Sequence, residues 1–172
     1  MATKLRAGED FVHAVNEFAG RIPSLPPVRS VSAELYMGPT EESNWVIYGR
    51  LLVGAYPAST NDAANSQVLT SILRLGVTTF VCLQQEYAHE GVTEQEWREG
   101  RKLRPYIFDA IRLVDALPES FFAHCPRGKP DGLEFVHFPI VDCAIANDAS
   151  VLQLCHDLSQ RLLRGEVMYL HW

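Results

Sequence analysis

Three stretches of this sequence hold side chains whose types and positions could do chemistry. Pro139-Ile140-Val141-Asp142 closes an apolar run on a carboxylate, and Val167-Met168-Tyr169-Leu170-His171-Trp172 closes another on an imidazole. Residues 124–131 read HCPRGKPD, a His-Cys pair in a stretch rich in turn formers. A carboxylic acid can protonate a leaving group, an imidazole can orient or shuttle a proton, and a thiol becomes a nucleophile where its pKa is depressed. In open α/β sheets ligands sit beyond the C-terminal ends of the strands, where a following helix can offer backbone N–H groups to an anion. Asp142 and His171 are both predicted to stand at such strand ends.

The elements that must position them follow from hydrophobic periodicity. WVIYGRLLVGAYPAS holds two short β-rich runs, residues 45–48 and 51–56, split by Gly49-Arg50 and closed by Pro57. Val68, Leu69, Ile72, Leu73 and Leu75 recur at helical spacing, with Gly76 at the stop. Val77–Leu83 is then a β-branched, apolar strand of the kind buried on both faces, and the strand-helix-strand unit predicts a right-handed crossover to a parallel neighbour. Residues 86–132 interrupt the alternation as an insertion with a charged helical piece, TEQEWREGRKLR, and a more apolar one from Tyr106 to Leu117. A strand over residues 133–138 follows, ending in PIVD. A helix capped by Asn147 or Asp148 comes next, with Val151, Leu152, Cys155, Leu158, Leu162 and Leu163 as its core stripe, and Gly165 ends it before the last strand. The predicted fold class is α/β, a mostly parallel sheet flanked by helices, in a domain over residues 45–172. Residues 1–44 read as an N-terminal extension, a helix over residues 10–21 followed by Pro23, Pro26 and Pro27.

Composition narrows the functional classes. The 172 residues are 47% hydrophobic, enough for a real core, and the net charge of −6 argues against a surface that tracks nucleic-acid phosphates. No run approaches the roughly 18 apolar residues that span a bilayer, and MATKLRAGED lacks the apolar core of a secretory signal. The cytosol is the expected compartment, with neither nucleic acid nor membrane as partner. Four scattered cysteines without a C-x-x-C pair read as free thiols, and the scattered histidines predict no metal and no cofactor.

GRLLVGAYPAS, LGVTTFVCLQQE, FVHFPIVD, a helix and VMYLH, in that order, resemble the cysteine-dependent protein tyrosine and dual-specificity phosphatases over roughly residues 45–171. The resemblance implies a protein tyrosine phosphatase-like fold and hydrolysis of phosphoprotein monoesters through a cysteinyl-phosphate intermediate. It implies Asp142, on the P-x-x-D loop, as general acid, and His171 as the residue preceding the nucleophile. That chemistry needs a thiolate ringed by backbone N–H groups and an Arg whose planar fork grips two phosphate oxygens. The family places Cys, five residues and Arg directly after the histidine. Here Trp172 stands in the cysteine's place, so the chain as printed has neither nucleophile nor phosphate loop and is expected to be inactive and C-terminally incomplete. The indole replaces the cysteine, or the cysteine has dropped out before Trp172, or the reading frame is lost.

HCPRGKPD matches the family's His-Cys and mid-loop Gly but puts Asp131 where Arg is required, and a carboxylate would repel the phosphate. An ordinary Cys125 in a surface loop is the expected reading. Asp148 is the second acid candidate on the PIVD loop but reads first as a helix cap. Cys82 reads as a small core hydrophobe. Arg98, Arg101, Lys102 and Arg104 read as a solvated helix face before a substrate-facing patch. The alternative to an enzyme lineage is a non-catalytic phosphatase-like protein that docks a protein partner through residues 86–132 or the Pro-rich 22–28. A sheet left partly uncovered predicts aggregation of the isolated chain.

Overall fold

The computed structural model describes residues 33–172, so the predicted helix over residues 10–21 and the prolines after it lie outside the described residues. After a 3-10 turn at Ala33–Tyr36 come β1 (Ser43–Ile47), β2 (Leu51–Gly54), α1 (Asp62–Leu73) and β3 (Thr79–Gln84). The short α2 (Glu94–Arg98), α3 (Tyr106–Ala116) and a 3-10 turn at Glu119–Phe122 lead to β4 (Glu134–Ile140), α4 (Asp148–Leu163) and β5 (Met168–His171). These form a mixed α/β fold around one five-stranded sheet of order β1-β2-β5-β3-β4, with β1 antiparallel to β2 and the other three pairings parallel.

The β2-α1-β3 unit departs from expectation in one respect. Its two strands are parallel but not neighbours, because β5 inserts between them. Met168, Tyr169 and Leu170 are the reason: a strand apolar on both faces is stable only where both edges are paired and both faces covered. Met168 and Tyr169 are buried, and β5 pairs along one edge with Leu51–Gly54 and along the other with Thr79–Cys82.

Side chains alternate between two cores. Leu52, Phe80, Cys82 and Tyr169 face α1 and α3, while Val81 and Met168 face α4. The stretch from 86 to 132, expected as an interruption, supplies much of the first core. Tyr106, Ile107, Ala110 and Val114 form one stripe of α3 and are buried with Leu69, Ile72 and Leu73 of α1. The opposite face is thinner. Of the stripe predicted for α4, Leu158 and Leu162 are buried and Leu154 is partly buried against the same core, but Leu152 is 72% exposed and Cys155 is exposed. The buried leucines lie toward the C-terminal end of the helix, and its first turns stand clear of the sheet.

Local chemistry sets the boundaries. Asn147, not Asp148, caps α4, its side chain accepting from the N–H groups of Ala149 and Ser150. Gly165, at φ 84°, ends that helix in a Schellman turn, with Gly165 N–H to the Leu162 carbonyl and Glu166 N–H to that of Arg161. β4 runs through Pro139 to Ile140, two residues beyond the expected end. It is an edge strand with a bulge where His137 to Ile140 spans Cys82 to Gln84, and an edge bulge is where a residue lacking an N–H is tolerated.

Gly54 pairs in register with His171 at the end of β5. A Cβ there would overlap the Tyr169 hydroxyl, which donates to the Ala55 carbonyl at 2.6 Å, and would sit 3.0 Å from the Glu42 carbonyl oxygen. Gly54→Ala is expected to cost about 1–3 kcal/mol by overpacking, read as a lowered urea midpoint at unchanged slope.

Candidate functional site

The parallel strands β5, β3 and β4 all end at one edge of the sheet. His171, Cys82 and His137 occupy one row across them, with Gly54 completing it on β2. Asp142 lies five residues past His137, in a turn closed by Ala144 N–H to the Val141 carbonyl at 3.0 Å. Cys143 takes φ 58° in this turn, a conformation that side-chain-bearing residues rarely adopt. Because β3 separates β4 from β5, the strands carrying Asp142 and His171 are two inter-strand spacings apart, about 10 Å. The structure therefore brings both predicted residues to the same sheet edge, with Asp142 exposed on the loop beyond it and His171 buried within it.

His171 is fully buried in a cage of aromatic rings. The centroids of Tyr106, Tyr56 and Tyr169 lie 5.3, 5.5 and 5.7 Å from its own, the first two edge-on and the third stacked. The Tyr106 hydroxyl and His171 Nε2 are 2.7 Å apart, while Nδ1 is buried with no hydrogen-bond partner among the described residues. Burial, reinforced by the charge His137 can carry, pushes the imidazole pKa down to about 3, so the ring is neutral at ordinary pH. Burial likewise holds the Tyr106 phenol well above its usual range.

Tyr106 is a site residue that the sequence did not single out. Its signal was present but ambiguous, since an aromatic at the start of an amphipathic stripe reads as core and only the fold places its hydroxyl on His171. What carries it there is a bracket of charges. Arg104 pairs with Asp62 and Asp109, each at 2.7 Å, and its guanidinium lies 4.2 Å from the Trp97 ring centroid. Arg98 covers the same indole at 4.4 Å and pairs with Asp62 and Glu94. The Arg104 carbonyl also accepts the Tyr56 hydroxyl. Arg98, Arg101 and Lys102 lie on an exposed face, as expected, and of the four only Arg104 is drawn inward. Each is paired with a carboxylate, and the Arg104 side chain is only 11% exposed. The capping box Thr93-Glu94-Gln95-Glu96, with Thr93 and Glu96 bonded reciprocally, was the legible cue for the α2 start.

HCPRGKPD offers no nucleophile. Cys125 is buried, which corrects the expected surface placement, and its Sγ lies 3.7 Å from the Arg74 carbonyl at the end of α1. Burial pushes the thiol up to about 11, and a helix C-terminus disfavours a thiolate further. No helix follows the stretch to present N–H groups. Cys82, buried on β3, is raised by the same cause to about 11. The exposed Cys143 and Cys155 are expected to react at once with a thiol-specific chromogenic reagent at pH 8, and the buried Cys82 and Cys125 only after denaturation. A fast third thiol would contradict this assignment.

No protein-family model matches the chain, and no curated protein does. Among solved structures, the crystal structure of Tk-PTP in the active form is similar at 17% identity and a TM-score of 0.38, over 71% of this chain and 56% of that one. The chain thus spans little more than half the length of that protein. No helix among the described residues is long and apolar enough to cross a membrane.

Proposed function

We propose that the chain carries the N-terminal part of a cysteine-dependent protein tyrosine or dual-specificity phosphatase domain. The observation that supports this reading best is that β5, a central strand, ends with buried His171 at the sheet edge beyond which Asp142 also lies. In the proposed reaction a thiolate after the His171 strand attacks the phosphorus of a phosphoprotein monoester. The P–O bond to the leaving oxygen breaks, and Asp142 gives that oxygen its proton. Asp142 then takes a proton from water as water displaces the thiolate from the cysteinyl phosphate. Residue 172 is Trp, so the nucleophile and the Arg-bearing loop must come from sequence other than these 172 residues. The stretch 86–132 is proposed as the surface for a protein partner, through its exposed side rather than the α3 stripe that the core occupies.

The test has two arms. The 172-residue polypeptide is expected to show no turnover of an aryl phosphate. DNA past the Trp172 codon is expected to encode Cys, a Gly-containing loop and Arg, and the longer product should hydrolyse the ester, with Asp142→Asn lowering kcat on poor leaving groups by about 10²–10⁴-fold. Turnover by the 172-residue chain that survives Cys125→Ser, or the absence of such a coding sequence, would overturn the proposal.

A further inference from the structure

Charge is distributed unevenly along this chain. Residues 130–160 hold five carboxylates, Asp131, Glu134, Asp142, Asp148 and Asp157, with neither Lys nor Arg, and so account for five of the six net negative charges. Asp157 pairs with Arg161 at 2.9 Å, while the other four are exposed and pair with no cation among the described residues. The fold sets these charges around an open sheet edge. β4 is the last strand of the sheet and pairs only with β3, so the backbone N–H and C=O groups of its other side face no strand among the described residues. Pro139 and the bulge blunt that edge at its C-terminal end, but residues 134–137 keep a regular register. Beside it a groove of about 570 Å³ separates β4 from α4, lined by Val136 and Phe138 on the strand and by Ala149, Leu154 and Asp157 on the helix. The turn that closes one end of the groove carries Asp142 and leaves Val141 and Ile145 exposed.

We infer that the free edge of β4 and this groove form a docking surface for an extended, basic segment of a protein partner, added to the sheet as a sixth strand. Main-chain hydrogen bonds to β4 supply the attachment, and alternate side chains of the segment supply the selectivity. Apolar side chains on one face of the segment enter the groove against Val136, Phe138 and Leu154. Lys or Arg at its two ends meets Glu134 where β4 begins and Asp142 and Asp148 beyond its end, a span of about 20 Å for an extended chain. Charge selects the occupant. A second copy paired edge to edge would set like charges against one another, and nucleic acid would bring phosphates to carboxylates, whereas a basic segment gains at both ends. The surface is separate from residues 86–132, and its readout is affinity, so it stands or falls apart from the function proposed above.

Three synthetic peptides and the 172-residue chain supply the test, read by fluorescence anisotropy. Fluorescein-labelled KRVTVTVRK, basic at both ends and alternating between them, is expected to bind, with its affinity falling about tenfold between low and moderate salt. EEVTVTVEE keeps the centre and reverses the charge, and KRVTPTVRK keeps the charge but places a proline where the ladder needs an N–H; neither is expected to bind below about 1 mM. Glu134→Lys combined with Asp148→Lys, both at exposed positions, is expected to lower the affinity for KRVTVTVRK by about tenfold or more. No binding of KRVTVTVRK would overturn the inference. Equal binding of the proline peptide would show attraction by charge alone and remove the added strand, and binding unchanged by the double substitution would place the peptide elsewhere. The two control peptides decide on the unaltered chain even if the double variant fails to fold.

Discussion

Lowering the pH from 7.5 to 5.0 is expected to cost the native state about 2 kcal/mol through His171 alone. Its pKa is near 6.5 when unfolded and about 3 when folded. Above 6.5 both states hold a neutral ring, and this residue contributes no pH dependence. Below 6.5 the unfolded chain takes up a proton that the native ring refuses, so stability falls by about 1.4 kcal/mol per pH unit until the folded pKa is reached. The groups facing the ring do not reverse this. Tyr56, Tyr106 and Tyr169 are phenols with raised pKa values, the Cys82 thiol on the adjacent strand is likewise raised, and His137, when protonated, repels a second charge. The carboxylates with lowered pKa values, among them Asp62 and Glu166, act in the same direction but titrate below pH 5, outside this window. Urea midpoints for wild type and His171→Gln are therefore expected to converge between pH 7.5 and 5.0, the wild type falling more steeply. Parallel curves would show that the ring titrates normally and would contradict its burial.

The second large effect is expected at Arg104. Replacing it by Met keeps an unbranched side chain but deletes the guanidinium over Trp97, the pairs with Asp62 and Asp109 and the bond to the Ser59 carbonyl at 3.1 Å. The Asp109 side chain is 12% exposed, so its loss of a partner is that of a buried charge, for which breaking one side costs about 3–5 kcal/mol. Asn65 and Arg112 still bond Asp109, which places Arg104→Met near the low end, about 3 kcal/mol. Arg104→Lys can reach one carboxylate but not form the fork, and it should fall between the two. Arg101→Met is the contrast. Its pair with Glu99 joins two side chains 55% and 46% exposed, and the change should stay within about 0.5 kcal/mol. Equal effects at the two arginines in equilibrium unfolding would remove Arg104 from its structural role.

Much of the fold was legible because local pattern and tertiary environment agree. The apolar runs at 79–84 and 168–171 could be stable only as buried strands, and Gly76 and Gly165 marked the ends of α1 and α4. Asp142 and His171 could be picked out for the same reason, since both close apolar runs. The departures have a common cause, which is that periodicity reports an apolar stripe but not what lies opposite it. The α4 stripe was read as core, yet among the described residues only its C-terminal half, Leu158 and Leu162, is buried against the sheet. The α3 stripe was read as belonging to an interruption, yet it meets α1. Cys125 was read as a loop thiol because its neighbours are turn formers, and it is buried against the end of α1.

The sequence by itself determined which segments become strands and helices, where caps and glycines stop them, and that a carboxylate and an imidazole stand at strand ends. Only the tertiary structure decided that β5 enters between β2 and β3, that Arg104 is a buried anchor, and that the Tyr106 hydroxyl, 65 positions away in the chain, meets His171. Spacing along a chain encodes local geometry through the backbone, whereas the pairing of buried polar groups depends on which elements are packed together, a choice made by the sum of apolar contacts over the whole core.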